Sequence, residues 1–383
     1  MLAVTYRGPD RVRVEDHPEP RIEHPNDMVL RVTRATICGS DLHLYHGFVP
    51  DTRVGTIFGH EFTGVVEEVG SSVQTLSPGD RVVVPFNIAC GACFSCQRER
   101  TSLCERSNPL SSMVGGVFGY SHTTGGYQGG QAERVRVPFA DVGPMKIPAD
   151  LSDEDVLFLS DILPTGYQGA EMGDIGPEDT VAVFGCGPVG LFAQRCAWLL
   201  GAKRVIALDG VDYRLAFARQ YNQAETIDIR ATPDVVTLLK EMTDGRGPDV
   251  CIEAVGMEAE GSALHDVTGL KLRLQAGAPT ALNWAIQSVR PGGRVSIIGV
   301  YGPPWNLLDV GSIMNKGLTV KAGQCDVKRY QPRLLEHIRA GRIDPTALIT
   351  HRVPLAAAPE MYHLFAERTD GIIKAVLIPP GAE

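Results

Sequence analysis

The 383-residue sequence predicts a two-domain α/β protein, with a barrel-like β domain and a doubly wound parallel sheet. Three observations carry that prediction. The chain is too long for one hydrophobic core of ordinary size. Its first 150 residues hold short β-rich runs separated by turn signals. Its middle alternates apolar strands with helical stretches, the pattern of a parallel sheet.

The N-terminal residues 1–16 read as a strand, a turn at Gly8-Pro9-Asp10 and a second strand. MVLRVTRATIC, EFTGVVEEVG, DRVVVPF and ERVRVP follow as strands, punctuated by turns such as Ser77-Pro78-Gly79-Asp80. After about residue 153 the pattern changes. VAVFGCG is an apolar run ending in glycines, and LFAQRCAWLLG reads as a helix stopped by Gly201. RVIALD, TIDI, DVCIEAVG and GGRVSIIGV read as strands, with YRLAFARQY and VVTLLKEMT as helices. The longer strand runs are almost continuously apolar, as strands covered on both faces should be. Near the C-terminus RLLEHIRAG reads as a helix and IIKAVLIP as a strand returning to the β domain. The expected division is 1–153 with 322–383 for the β domain, and 154–321 for the second.

Composition narrows the function. Hydrophobic residues at 44% and charged residues at 21% suit a soluble globular chain. A net charge of −9 argues against nucleic acid or an anionic membrane as partner. No apolar run reaches the length of a membrane span, and the N-terminus lacks a signal-peptide pattern. A cytoplasmic protein is expected. Nine cysteines, an odd number, do not suggest a disulfide framework.

Four of those cysteines, Cys90, Cys93, Cys96 and Cys104, form C-x2-C-x2-C-x7-C. Four thiolates at this spacing can close a tetrahedral structural zinc site. The loop is rich in Gly and Ser, so a metal would supply order that side-chain packing does not. An iron–sulfur cluster is the rival reading, weakened by the long last gap and the absence of Pro after Cys104.

Three other segments suggest a second, catalytic zinc. Cys38 follows a strand in Cys38-Gly39-Ser40-Asp41-Leu42-His43. His60 stands between glycines in Gly59-His60-Glu61-Phe62-Thr63-Gly64. Asp161 interrupts the apolar run FLSDIL, where an unpaired carboxylate would be costly. A helix N-cap is the simpler reading of Asp161. Together a thiolate, an imidazole and a carboxylate balance a zinc ion and leave its fourth position open. Ser40, backed by His43 nearer solvent, would relay a proton. Asp41 would orient His60 through its second ring nitrogen. Glu61 is a candidate for a supporting carboxylate or a transient ligand, against a plain surface charge.

Gly185-Cys186-Gly187-Pro188-Val189-Gly190 is a G-x-G-x-x-G turn that ends an apolar strand and opens a helix. That context suits a dinucleotide pyrophosphate. Asp209 ends the next strand and would bind the adenosine ribose, favouring NAD over NADP. Arg214, on the following helix, could cover the adenine.

These motifs resemble the zinc-containing medium-chain alcohol dehydrogenases, along essentially the whole chain. The best-known members carry Cys as the third catalytic ligand. FLSDILPTGYQGA has Asp161 there, which is similar to the formaldehyde dehydrogenase branch. The resemblance implies a GroES-like β-barrel catalytic domain and a Rossmann domain, with the active site in the cleft they form. It also implies Thr165, Val189 and Val300 near the nicotinamide and Lys374 at a phosphate. A homotetramer, or second a homodimer, would be expected. The link at 257–280 is longer than in simpler members and could hold NAD tightly. The expected reaction passes hydride from a small alcohol or hydrated aldehyde to NAD. Rivals are polyol or threonine dehydrogenases, an aldehyde dismutase with retained NAD, and a non-catalytic zinc and nucleotide sensor.

Overall fold

Alternation of apolar and polar residues sets the first sheet. In Met28–Thr36 the side chains of Met28, Leu30 and Val32 are fully buried, while Arg31 and Arg34 reach outward. The structure is a computed structural model that describes residues 1–111, 113–258, 279–302 and 308–382. It divides into two units, Met1–Pro164 with Cys325–Glu383, and Thr165–Gln324. The expected domain limits of 153 and 322 fall a short way ahead of these. Residues 259–278 of the long link lie outside the described residues.

The first unit is built on a seven-stranded sheet. Its path runs Ile349–Pro354, Lys374–Ile378, Met28–Thr36, Phe62–Val69, Arg81–Val84 and Met145–Lys146, with Arg134–Val137 paired to Met28–Thr36. Most pairings are antiparallel, but Ile349–Pro354 lies parallel to Lys374–Ile378. The strand expected at the C-terminus therefore sits beside the first long strand. A hairpin of Leu2–Tyr6 and Val12–Asp16 docks through bridges at Ala3–Ala132 and Thr5–Ile57. Phe62 and Phe118, both buried, meet edge to face at 5.3 Å in the core. Burying each ring contributes about 1.5–3 kcal/mol. The C-terminal helix Ala358–Glu367 closes the core with Met361, Tyr362 and Phe365.

The second unit is a six-stranded, wholly parallel sheet. Its order is Glu225–Asp228, Arg204–Asp209, Thr180–Phe184, Val250–Glu253, Arg294–Ile297 and Thr319–Ala322. The strands run outward in both directions from Thr180–Phe184. The carboxyl end of that strand is the switch point, where doubly wound sheets take ligands. Helices Pro188–Leu199 and Asp212–Asn222 link the strands on one side of this point.

Patterning did not foretell every element. The helices Asp153–Leu157, Thr280–Ser288 and Ala358–Glu367 and the strand Thr319–Ala322 are additions. No helix among the described residues is long and apolar enough to cross a membrane.

Candidate metal and dinucleotide sites

The chain turns sharply after the long strand. Cys38 is extended at φ −96°, ψ 156° and precedes the helix Gly39–Tyr45. Asp41 caps that helix by accepting the Cys38 N–H at 2.9 Å. The cap fixes the Cys38 backbone. His60 precedes the strand Phe62–Val69, and Asp161 stands between a 3-10 turn, Phe158–Ser160, and the helix Ile162–Met172.

These three elements bring their side chains to one point. Cys38 Sγ lies 3.6 Å from Asp161 Oδ2, and His60 Nε2 lies 3.3 Å from the same oxygen. One ligand atom from each residue falls within 4.8 Å of the others, and all three residues are buried. Asp161 stands ahead of its helix, as the capping alternative required, but its carboxylate also reaches this point. On the far side of the ring, His60 Nδ1 lies 3.2 Å from Asp41 Oδ1, the orienting contact expected from the sequence.

Charge explains why a cation fits here. Burial pushes the Cys38 thiol up, and the nearby Glu61 and Asp161 carboxylates push it further. Burial alone would lower His60, but the Asp41 charge and bonds to Asp161, Asp41 and Cys38 hold it well above the usual range. Without a metal the cluster keeps protons on groups that a divalent ion would replace. Phe86 and Tyr120 meet His60 edge-on at 6.2 and 6.5 Å, giving the site dry aromatic walls.

Two expectations are corrected. His43 is not the solvent end of a relay: it is buried at 3% exposure, whereas Ser40 is half-buried. The helix Gly39–Tyr45 turns the imidazole inward. Ser40 Oγ lies 3.2 Å from His60 Nε2. Lys374 is not placed to take a phosphate, and Glu61 is a buried carboxylate beside the site, as its supporting role required, rather than a surface charge. The two form an ion pair with both side chains fully buried, and Lys374 Nζ also donates to the Ile37 carbonyl at 2.9 Å. Two of its three N–H donors are so committed, in a side chain with no exposure.

The four cysteines also converge. All are buried, with ligand sulfurs within 4.8 Å of one another. The Cys90 N–H points at Cys104 Sγ at 3.3 Å, and the Ala92 N–H at Cys90 Sγ at 3.5 Å. Burial would raise the Cys93 thiol, but backbone N–H groups of Cys96 and Glu105 bring it down to about 6. Amides aimed at sulfur suit thiolates, and four thiolates suit a closed zinc site. Asp326 anchors the loop by accepting the Ser102 N–H and hydroxyl at 3.0 and 2.8 Å.

In the second unit the Gly-rich turn has the shape its sequence demands. Gly185 has φ +98°, and a Cβ at Gly190 would lie 2.0 Å from the Gly185 carbonyl oxygen. The helix Pro188–Leu199 opens with Pro188 and Val189 and has no side-chain cap, so its first amides remain for an anion. Asp209 accepts the Cys186 N–H at 2.7 Å and the Val211 N–H at 2.9 Å. It therefore braces the turn as well, and each oxygen keeps a lone pair. Arg214 extends to 4.0 Å from where a Cβ at Gly187 would stand. Val300 follows the strand Arg294–Ile297, and its carbonyl accepts the Met257 N–H at 3.0 Å. Thr165 lies in the helix Ile162–Met172.

Sequence patterns do not single out Phe86, Gln131 and Tyr362. The last two lie behind Asp41 and are joined to it only in three dimensions. Asn87 Nδ2 donates to the Cys325 carbonyl at 2.7 Å.

Comparison with known proteins agrees with this geometry. The family model described as the alcohol dehydrogenase GroES-like domain matches residues 24–148, and that described as zinc-binding dehydrogenase matches 188–265. The uncharacterized zinc-type alcohol dehydrogenase-like protein AdhB of Bacillus subtilis is 46% identical, with 99% of this chain and 100% of that one aligned. The glutathione-independent formaldehyde dehydrogenase of Pseudomonas aeruginosa is 35% identical, over 98% of this chain and 97% of that one. Among solved structures, the alcohol dehydrogenase TADH from Thermus sp. ATN1 superposes with a TM-score of 0.85 at 40% identity, covering 99% of this chain and 100% of that one. On this evidence the chain is an oxidoreductase that belongs to the zinc-type alcohol dehydrogenase family.

Proposed function

We propose that the chain is an NAD-linked dehydrogenase of small alcohols or hydrated aldehydes, formaldehyde-like in size. The observation that carries this reading is the buried convergence of Cys38, His60 and Asp161, three donors that leave a fourth position open. Zinc held there supplies Lewis-acid activation of a hydroxyl or carbonyl oxygen, and NAD supplies the hydride acceptor.

The chain's own residues do the rest. Ser40 Oγ, beside His60 Nε2 and half-buried, would accept the proton that the substrate hydroxyl gives up while passing its own toward solvent. His43, three residues on in the same helix, is buried and is not the group that delivers this proton to solvent. Glu61 and Lys374 neutralise each other beside the site and transfer no proton. Phe86 and Tyr120 exclude water around His60. The Gly185-to-Gly190 turn and the helix that follows hold the pyrophosphate, with Asp209 on the adenosine ribose.

A steady-state assay with NAD and a panel of alcohols and aldehydes tests this reading. Turnover of short primary alcohols or hydrated formaldehyde is expected. Binding of NAD with no turnover across the panel would favour a sensor instead. Formaldehyde consumption without added NAD, yielding alcohol and acid together, would favour a dismutase.

Asp209→Gly tests the cofactor assignment. The variant loses the ribose acceptor, the repulsion of a 2′-phosphate and the brace on the Cys186 N–H. Efficiency with NAD should fall about 10–100-fold, equivalent to ~1.4–2.8 kcal/mol, and the NADP-to-NAD preference should rise. Unchanged kinetics with both nucleotides would remove Asp209 from the site.

A further inference from the structure

We propose that Gln131 and Tyr362 are positioning residues for zinc capture, acting through Asp41 on the ring of His60. This rests on the reading that Cys38, His60 and Asp161 hold a zinc ion.

A continuous run of buried polar groups leads from the C-terminal helix to His60. The Tyr362 hydroxyl lies 2.9 Å from Gln131 Oε1. Gln131 Nε2 donates to the Thr36 carbonyl at 3.0 Å and to Asp41 Oδ2 at 3.3 Å. Asp41 then presents Oδ1 to His60 Nδ1 at 3.2 Å. Gln131, Tyr362 and Asp41 are all fully buried.

The amide of Gln131 has one chemically sensible orientation. The Thr36 carbonyl and the Asp41 carboxylate are both acceptors, so the NH2 must face them. That turns the amide oxygen toward Tyr362, whose hydroxyl must donate. With Oδ2 held by Gln131 and by the Cys38 N–H, Asp41 keeps Oδ1 for His60. A proton on His60 Nδ1 would face that oxygen at 3.2 Å and leave the Nε2 lone pair toward Cys38 and Asp161.

The backbone beside His60 accommodates this arrangement. Gly59 has φ +95°, and a Cβ there would stand 2.4 Å from Gln131 Cγ. The Gln131 N–H and the Phe58 carbonyl bond at 3.0 Å, so the two segments run side by side. Tyr362 is wedged against Tyr45 at 5.5 Å and Phe58 at 6.0 Å, which fixes its hydroxyl.

Two holoenzyme variants test the proposal, Gln131→Met and Tyr362→Phe. Both keep the side-chain volume and remove the polar groups. Each is incubated with a chelator, and zinc per chain is followed over time. Gln131→Met should release one of its two zinc ions about 10–100-fold faster than the parent. Tyr362→Phe should shift the same ion by about 3–10-fold, the effect of one hydrogen bond. The four-cysteine zinc should leave at the parental rate in both. The kcat should track occupancy and return when free zinc is raised, with KM for NAD unchanged. Parental release rates for both ions in both variants would overturn the proposal, and should Gln131→Met not fold, Tyr362→Phe alone decides it. A parent chain that binds only one zinc would remove the site itself, which is a different failure.

Discussion

Asp161→Ala should lower kcat/KM by about a thousandfold or more, equal to ~4 kcal/mol of transition-state stabilisation. Asp161 Oδ2 is the atom shared by Cys38 Sγ and His60 Nε2. Without it two donors remain, too few to hold a catalytic zinc. The fold should survive, because Asp161 is a buried carboxylate whose removal relieves a desolvation cost. The melting temperature should stay within a few degrees of the parent, about 1 kcal/mol of stability. Asp161→Cys supplies a different anionic ligand and should restore zinc binding and part of the activity. Full activity in Asp161→Ala, measured by steady-state assay, would remove the zinc from the mechanism.

Cys104→Ser should act on stability. Cys104 accepts the Cys90 N–H and lies 4.0 Å from Cys93 Sγ, at the centre of the cysteine cluster. Among the described residues, the apolar cluster it belongs to holds, besides the cysteines, Ala89, with Phe139 and Val142 packed against it. With so little packing, the metal must supply the loop's order. A loss of about 4 kcal/mol is expected, which in a domain of this size lowers the melting temperature by about 10 °C. Proteolysis within 90–104 should accelerate in step. Calorimetry showing an unchanged melting temperature and an intact loop would contradict a structural metal.

The two predictions differ because the two sites differ in surroundings. The catalytic-type cluster is carried by strand and helix ends already fixed by the core. The four-cysteine cluster is carried by a loop held by few apolar contacts and by the hydrogen bonds to Asp326.

Much of this was legible in the sequence where the signal is local. The strands Met28–Thr36, Phe62–Val69 and Thr180–Phe184 show as apolar or alternating runs. The cysteine loop and the Gly-rich turn show as spacings. Even the Asp41–His60 contact could be anticipated, because each residue lies in a short motif of its own. Long-range contacts were hidden. The resemblance implies a phosphate role for Lys374, and no local pattern shows its partner Glu61, which lies 313 residues away in the chain. Gln131 and Tyr362 escaped notice for the same reason, being joined across 231 residues. The burial of His43 follows from the short helix Gly39–Tyr45, whose inward face no local pattern marks. The strand Thr319–Ala322 is short, exposed and partly polar, and nothing in its pattern marks it as part of a sheet.

The central claim is that two separate residue sets bind zinc, one to react and one to hold a loop. Elemental analysis of the purified parent chain, Asp161→Ala and Cys104→Ser measures it directly. The account predicts two zinc ions per parent chain and one in each variant, with activity lost in Asp161→Ala alone beyond what its stability explains. A parent with fewer than two, or an Asp161→Ala chain that keeps both, would contradict it.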